Sequence, residues 1–176
     1  MKALSLPAAL AALALSAGLA LAASAPQPAK PVASQLYSGR WYEVARIPNQ
    51  MQRNCEGASS EFRGFSNGDF QVVQTCHKGT ATGPAQVFNG RGEILPSTNN
   101  AKIKMVFFGG MVTQEYWILD RADDGAWAIM GTPGGNYVWL LSRDPTPDAA
   151  TRARLVARIG ALGYPTARLQ FPQQAG

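Results

Sequence analysis

Histidine and cysteine are almost missing from this sequence: 176 residues contain one histidine, His77, and two cysteines, Cys55 and Cys76. A structural zinc site takes about four ligands, so no metal centre is expected. Charge is sparse as well, at 15% of residues, with no basic helix and no basic stripe interleaved with aromatics, which argues against nucleic acid as a partner. Catalytic signatures are also lacking. There is no Gly-x-Ser-x-Gly elbow and no phosphate-binding glycine loop, and His77 stands without an identifiable nucleophile or orienting acid. The neighbouring acids Asp123 and Asp124 fall in a turn, where solvation accounts for them. Neither an enzymatic reaction nor a cofactor is expected.

Apolar residues are abundant, at 46%, and the first of them form a leader. Met1 and Lys2 precede an apolar run to about Ala22, and Ala20-Leu21-Ala22 and Ala23-Ser24-Ala25 both offer small-x-small cleavage sites. Residues 1–25 therefore read as a secretory signal peptide cut after Ala22 or Ala25; alanine dominance and Pro7 argue against a membrane anchor. The first cysteine is Cys55, so no lipid anchor on a new N-terminal cysteine is expected. Residues 26–35, with Pro26, Pro28 and Pro31, lack periodicity and read as an extended linker outside the fold. Loss of Lys2 with the leader leaves 15 basic against 11 acidic residues, a net charge of +4 compatible with anionic lipids and with peripheral membrane contact. Two cysteines in an exported chain favour one disulfide, Cys55 to Cys76, with a free thiol as the alternative.

From Gly39 to Arg143 the chain is a series of short alternating runs. Gly39-Arg40-Trp41-Tyr42-Glu43 opens the first, running from Trp41 to Ile47, with two large aromatics that favour strands. Ala58 to Phe65 and Phe70 to Lys78 follow, joined by the hairpin signal Ser66-Asn67-Gly68-Asp69. Ala85 to Ile94 contains Gly90 and Gly92, which suggest a bend or bulge. In Ala101 to Phe108, Lys102 and Lys104 occupy one parity and Ile103, Met105 and Phe107 the other. Glu115 to Asp120, Ala126 to Met130 and Tyr137 to Ser142 bring the count to eight. Eight consecutive strands on short turns predict an all-β, antiparallel up-and-down barrel closed against edge exposure, with a two-sheet sandwich as the alternative. After Arg143 the period changes. Thr146, Pro147 and Asp148 predict a helix start, and Leu155, Val156, Ile159 and Leu162 form its apolar face opposite Arg154 and Arg158. This C-terminal α-helix packs outside the barrel.

Several ordered segments together resemble a lipocalin, of the subgroup that contains the bacterial outer-membrane lipocalins and apolipoprotein D. Gly39-Arg40-Trp41-Tyr42-Glu43 is similar to the first signature of that family, Tyr116 to Asp120 to the strand before the second, and Tyr137 to Arg143 with Pro145 to the third. The resemblance assigns residues 36–176 to one lipocalin domain. It implies that Trp41 closes one end of the barrel under the guanidinium of Arg143, making Gly39, Trp41 and Arg143 fold residues. Two departures stand out: Asp124 is followed by Gly125 where the family carries tyrosine, and the lipoprotein cysteine of close relatives is absent.

With the parity of each strand, the resemblance turns Phe62, Val72, Gln74, Met105, Phe107, Tyr116, Ile118, Tyr137 and Trp139 inward as a ligand-binding lining. Such a lining suits an acyl chain or a flat apolar molecule. Gln74, Tyr116, Tyr137 and, at the mouth, Arg53 are candidates for a headgroup. The expected function is carriage or storage of a small hydrophobic ligand, a fatty acid or lysophospholipid, in the bacterial cell envelope: periplasmic, outer-membrane associated or extracellular. Three alternatives remain. The same side chains could fill the barrel as core, the protein could be an envelope-stress protein that binds other proteins, or it could be a lipocalin-fold enzyme working through Cys76.

Overall fold

Gly39 takes φ +67°, a left-handed conformation that glycine adopts without steric cost, and the first strand starts there. The computed structural model describes residues 24–175. Most of the expected leader, residues 1–23, lies outside them.

Eight strands follow in chain order: β1 Gly39–Arg46, β2 Cys55–Ser66, β3 Asp69–Lys78, β4 Ala85–Ile94, β5 Lys102–Phe107, β6 Val112–Arg121, β7 Trp127–Gly131 and β8 Val138–Ser142. Each pairs antiparallel with the next, and β1 pairs with β8, so the sheet is a closed eight-stranded barrel with no free edge. The predicted hairpin between β2 and β3 has Asn67 at φ 52° and Gly68 at φ 88°, the left-handed pair that a two-residue turn requires. Strand β4 keeps a continuous register with β3, so Gly90 and Gly92 do not make the expected bulge. They make room instead. A β-carbon on Gly90 would lie 2.6 Å from the Phe107 ring, and one on Gly92 would lie 2.2 Å from the Phe70 ring.

The helix α1 spans Ala149–Ala161 and starts later than the sequence predicts, because Asp148 rather than Thr146 is the cap: its carboxylate accepts from the Thr151 N–H at 2.8 Å. Leu155 and Ile159 are buried against the outer face of the barrel with Val44, Ile129, Val138 and Leu140. Arg158 is more than a solvated residue. It donates to Asp120 at 2.7 Å and lies 5.1 Å from the Trp127 ring, pinning helix to sheet.

One end of the barrel is plugged from within. Trp41 is fully buried, its indole N–H donates to the Leu36 carbonyl at 3.0 Å, and the Arg143 guanidinium lies 3.7 Å above its ring. Tyr37 is also fully buried, stacked on Phe70 at 5.3 Å. The segment read as a linker outside the fold is extended, but it packs on the barrel. Val32 is buried in the plug, Lys30 pairs with Asp120 and Asp123, and the buried Ala25 donates its N–H to Pro133. Proline removed helical periodicity here without removing the apolar contacts.

Candidate functional site

The barrel interior has two levels. Its lower half, next to the Trp41 plug, is solid: Phe62, Val72, Met105 and Ile118 are buried with Phe70 and Ile103 in one apolar cluster. Above this floor lies a cavity with about 90 Å3 of water-accessible space, open at the opposite end of the barrel. That is room for on the order of seven waters, a narrow shaft rather than a broad chamber. Its walls are mainly apolar and aromatic, with Phe88, Phe107, Phe108, Val112, Met130, Trp139 and Leu141. Tyr116 stands in the same wall, edge-on to Trp139 at 5.6 Å.

Its polar side is built around Glu43. Strand parity carries this residue inward two positions after Trp41, and among the described residues it is the only charged side chain lining the cavity. Burial pushes its carboxyl pKa above the usual carboxylate range, against the opposing pull of Arg46, which donates to it at 2.6 Å. The second carboxylate oxygen accepts from the Gln52 side chain at 2.6 Å. Gln52 in turn accepts from the Trp139 indole at 3.0 Å and from Asn49 at 2.5 Å. One hydrogen-bonded chain therefore joins β1, the short helical turn Gln50–Gln52 in the β1–β2 loop, and β8. Burial, with Glu43 nearby, also pushes the Tyr116 hydroxyl up to about 12, so it stays protonated and able to donate.

The wall between β1 and β2 is unusual. Ladder pairing between them ends at Tyr42 and Ser59, and β1 is irregular at Glu43 to Ala45. Beyond that point the C-terminal tail fills the seam. Arg46 and Gln170 exchange backbone hydrogen bonds, Gly57 donates to the Gln173 carbonyl, and the Gln174 amide bridges the carbonyls of Glu43 and Ala58 at 2.7 and 3.0 Å. Cys55 and Cys76 are joined by a disulfide across β2 and β3 in this same region, and both line the cavity. Closing a loop of 21 residues stabilises the fold by about 3 kcal/mol on the chain-entropy account.

Of the nine residues expected to line a pocket, Gln74, Phe107, Tyr116 and Trp139 do so. Phe62, Val72, Met105 and Ile118 face the interior but lie in the packed floor, because parity sets the face of a strand and not the depth along the barrel. Tyr137 leaves the cavity for an outer groove at the rim, which it shares with Arg53. Glu43, Gln52, Phe88 and Ser60 were missed. Parity with Trp41 was enough to find Glu43, and the β3–β4 register places Phe88 opposite Gln74. Gln52 sits on a loop, where no period marks direction.

The sequence model of the lipocalin-like domain family matches residues 32–174. Outer membrane lipoprotein Blc of Vibrio cholerae is 28% identical over 153 residues, which cover 85% of this chain and 88% of that protein. Temperature-induced lipocalin-1 of Arabidopsis thaliana is 27% identical over 146 residues, 79% of this chain and 77% of the relative. Rat apolipoprotein D is 28% identical over 117 residues, 62% of this chain and 59% of its own. Among solved structures, insecticyanin from the tobacco hornworm Manduca sexta superposes with a TM-score of 0.69 at 17% identity, covering 87% of this chain and 85% of that one. At that identity the likeness speaks for the fold. This chain belongs to the lipocalin-like family.

Proposed function

We propose that this lipocalin carries or stores a small hydrophobic ligand with a single narrow hydrocarbon chain, such as a fatty acid or a lysophospholipid, in the bacterial cell envelope. The carrying observation is the division of the barrel: a packed floor below and an apolar, aromatic shaft open at one end above. Apolar burial at about 25 cal/mol per Å2 drives uptake, offset by ordering of the chain. Among the described residues the only charge in the shaft is that of Glu43, already matched by Arg46, so none of them draws an anionic headgroup inward. Such a headgroup stays at the mouth, where Arg53 and Lys78 stand without carboxylate partners among the described residues.

Similarity to Blc outer membrane lipoproteins supports an envelope location, reached by export of a chain cleaved after Ala22 or Ala25. This reading takes contact with the membrane as peripheral; no helix among the described residues is long and apolar enough to cross one. A catalytic role through Cys76 would require its thiol, which the disulfide consumes.

Native mass spectrometry of the mature protein from its own envelope, followed by organic extraction, tests the proposal. One lipid bound one-to-one is the expected result. An empty barrel that also refuses added fatty acid and lysophospholipid would transfer the function to protein interaction.

A further inference from the structure

The two ends of this barrel differ in charge and in exposed apolar surface. The connections at the open end are residues 47–54, 79–84, 108–111 and 132–137. They contain one charged residue, Arg53, and no acid; Lys78 borders them with its ammonium on the Arg53 carbonyl, and Glu56, one step further into the sheet, accepts from the Gln173 N–H of the C-terminal tail. Asp123, Asp124, Asp144 and Asp148 all lie at the closed end, in the β6–β7 turn and in the chain leaving β8.

Apolar exposure has the opposite bias. Six large hydrophobic side chains are exposed among the described residues, and three of them, Met51, Phe108 and Met111, lie in the connections at the mouth. Met111 is 83% exposed. The local sequence Phe108-Gly109-Gly110-Met111 explains its projection. Phe108, Gly109 and Gly110 take φ of 52°, 66° and 104°, three successive left-handed residues that turn the chain sharply and leave Phe108 and Met111 at the rim. Glycine takes that conformation freely; phenylalanine does so at a steric cost.

We propose that the open end is a docking face for the surface of an anionic phospholipid bilayer, with Met111, Phe108 and Met51 entering the headgroup region and Arg53 and Lys78 meeting lipid phosphates. Apolar connections without an acid of their own, flanked by Arg53 and Lys78, match a negative surface that is apolar a few ångströms down. This face deepens the carrier reading, on which it rests for its purpose: it sets the shaft mouth against the lipid from which a chain would be drawn.

The test is flotation of the mature chain with vesicles of phosphatidylcholine plus phosphatidylglycerol, and with phosphatidylcholine alone. Partition into the anionic vesicles, weakened by salt, is expected. Met111→Asp lowers it about tenfold or more, from loss of one buried methionine, and leaves the melting temperature unchanged. Arg53→Glu weakens partition about fivefold for each unit of charge, and Asp124→Asn at the far end does not weaken it. Binding of a short-chain fatty acid from solution should survive Met111→Asp, because Met111 does not line the shaft. The proposal is overturned if the wild-type chain ignores anionic vesicles, or if both rim variants partition like the wild type. A dimer in solution that Met111→Asp dissociates would also overturn it, by giving the face to a second copy. A chain that takes up soluble ligand but ignores vesicles refutes the docking face alone. One that docks but takes up no ligand refutes the carrier reading alone.

Discussion

The indole N–H of Trp139 on β8 donates to the side-chain carbonyl of Gln52, 3.0 Å away on the β1–β2 loop, and so ties the cavity wall to its mouth. Gln52 passes the connection on to Glu43, and Glu43 to Arg46. One side chain thus contributes an aromatic face to the shaft and positions the loop over it.

These two contributions separate by substitution. Trp139→Phe keeps a ring and removes one hydrogen bond of about 1 kcal/mol, so ligand affinity should fall a few-fold with the barrel intact. Trp139→Ala also removes the ring and should weaken binding on the order of tenfold or more. Titration with a fluorescent fatty acid, alongside thermal melts, distinguishes the two. Unchanged affinity in Trp139→Ala would place the indole outside the ligand's path.

At the other end, Arg143 lies over Trp41 and donates to the Arg40 carbonyl at 2.7 Å. Its removal should act on stability and leave the shaft alone. The cation–π contact and the hydrogen bond are each worth about 1 kcal/mol, so Arg143→Ala should lower the melting temperature by roughly 4–8 °C with ligand affinity unaltered. An unchanged melting temperature would remove Arg143 from the plug.

Glu43 gives a pH dependence whose sign can be worked out. Burial raises its folded pKa above the unfolded value, so the native state holds its proton more tightly than the unfolded chain does. Its contribution to stability is therefore complete below the ordinary carboxylate range and is lost as pH rises through the raised value. Glu61 acts oppositely: Arg63 and Arg40 hold it at about 2, and its contribution is lost as pH falls through that value. Comparison with Glu43→Gln isolates the first effect. The variant should lose the decline in stability that sets in above the ordinary carboxylate range. Below that range, where the carboxyl is protonated in both states, the variant should match the wild type. Urea unfolding across pH measures both, and parallel curves for the two proteins would show that Glu43 does not titrate in this window.

Much of this architecture is legible in the residues themselves. Period-two alternation, the Asn67-Gly68 turn and the change of period after Arg143 are local features, set by sterics and by which face of a strand meets water. They determined eight strands and a helix outside the sheet; the inward direction of Gln74, Phe107, Tyr116 and Trp139 needed the resemblance to lipocalins as well. The pairing of Cys55 with Cys76 followed from their number and an exported context.

Depth along the barrel, by contrast, belongs to the closed structure. Phe62 and Phe107 share an inward parity, yet one packs into the floor and the other lines the shaft. The difference arises from where residues 32–41 enter and how far their aromatic side chains reach. Only tertiary structure brings Arg46 back to Glu43 across an irregular strand, closes the β1–β2 seam with Gln170 to Gln174, and gathers Met51, Phe108 and Met111 around one opening. The first depends on the irregularity that β8 pairing imposes on β1 and the other two on contacts between segments far apart in the chain, whereas alternation reports only which side of its own strand a residue occupies.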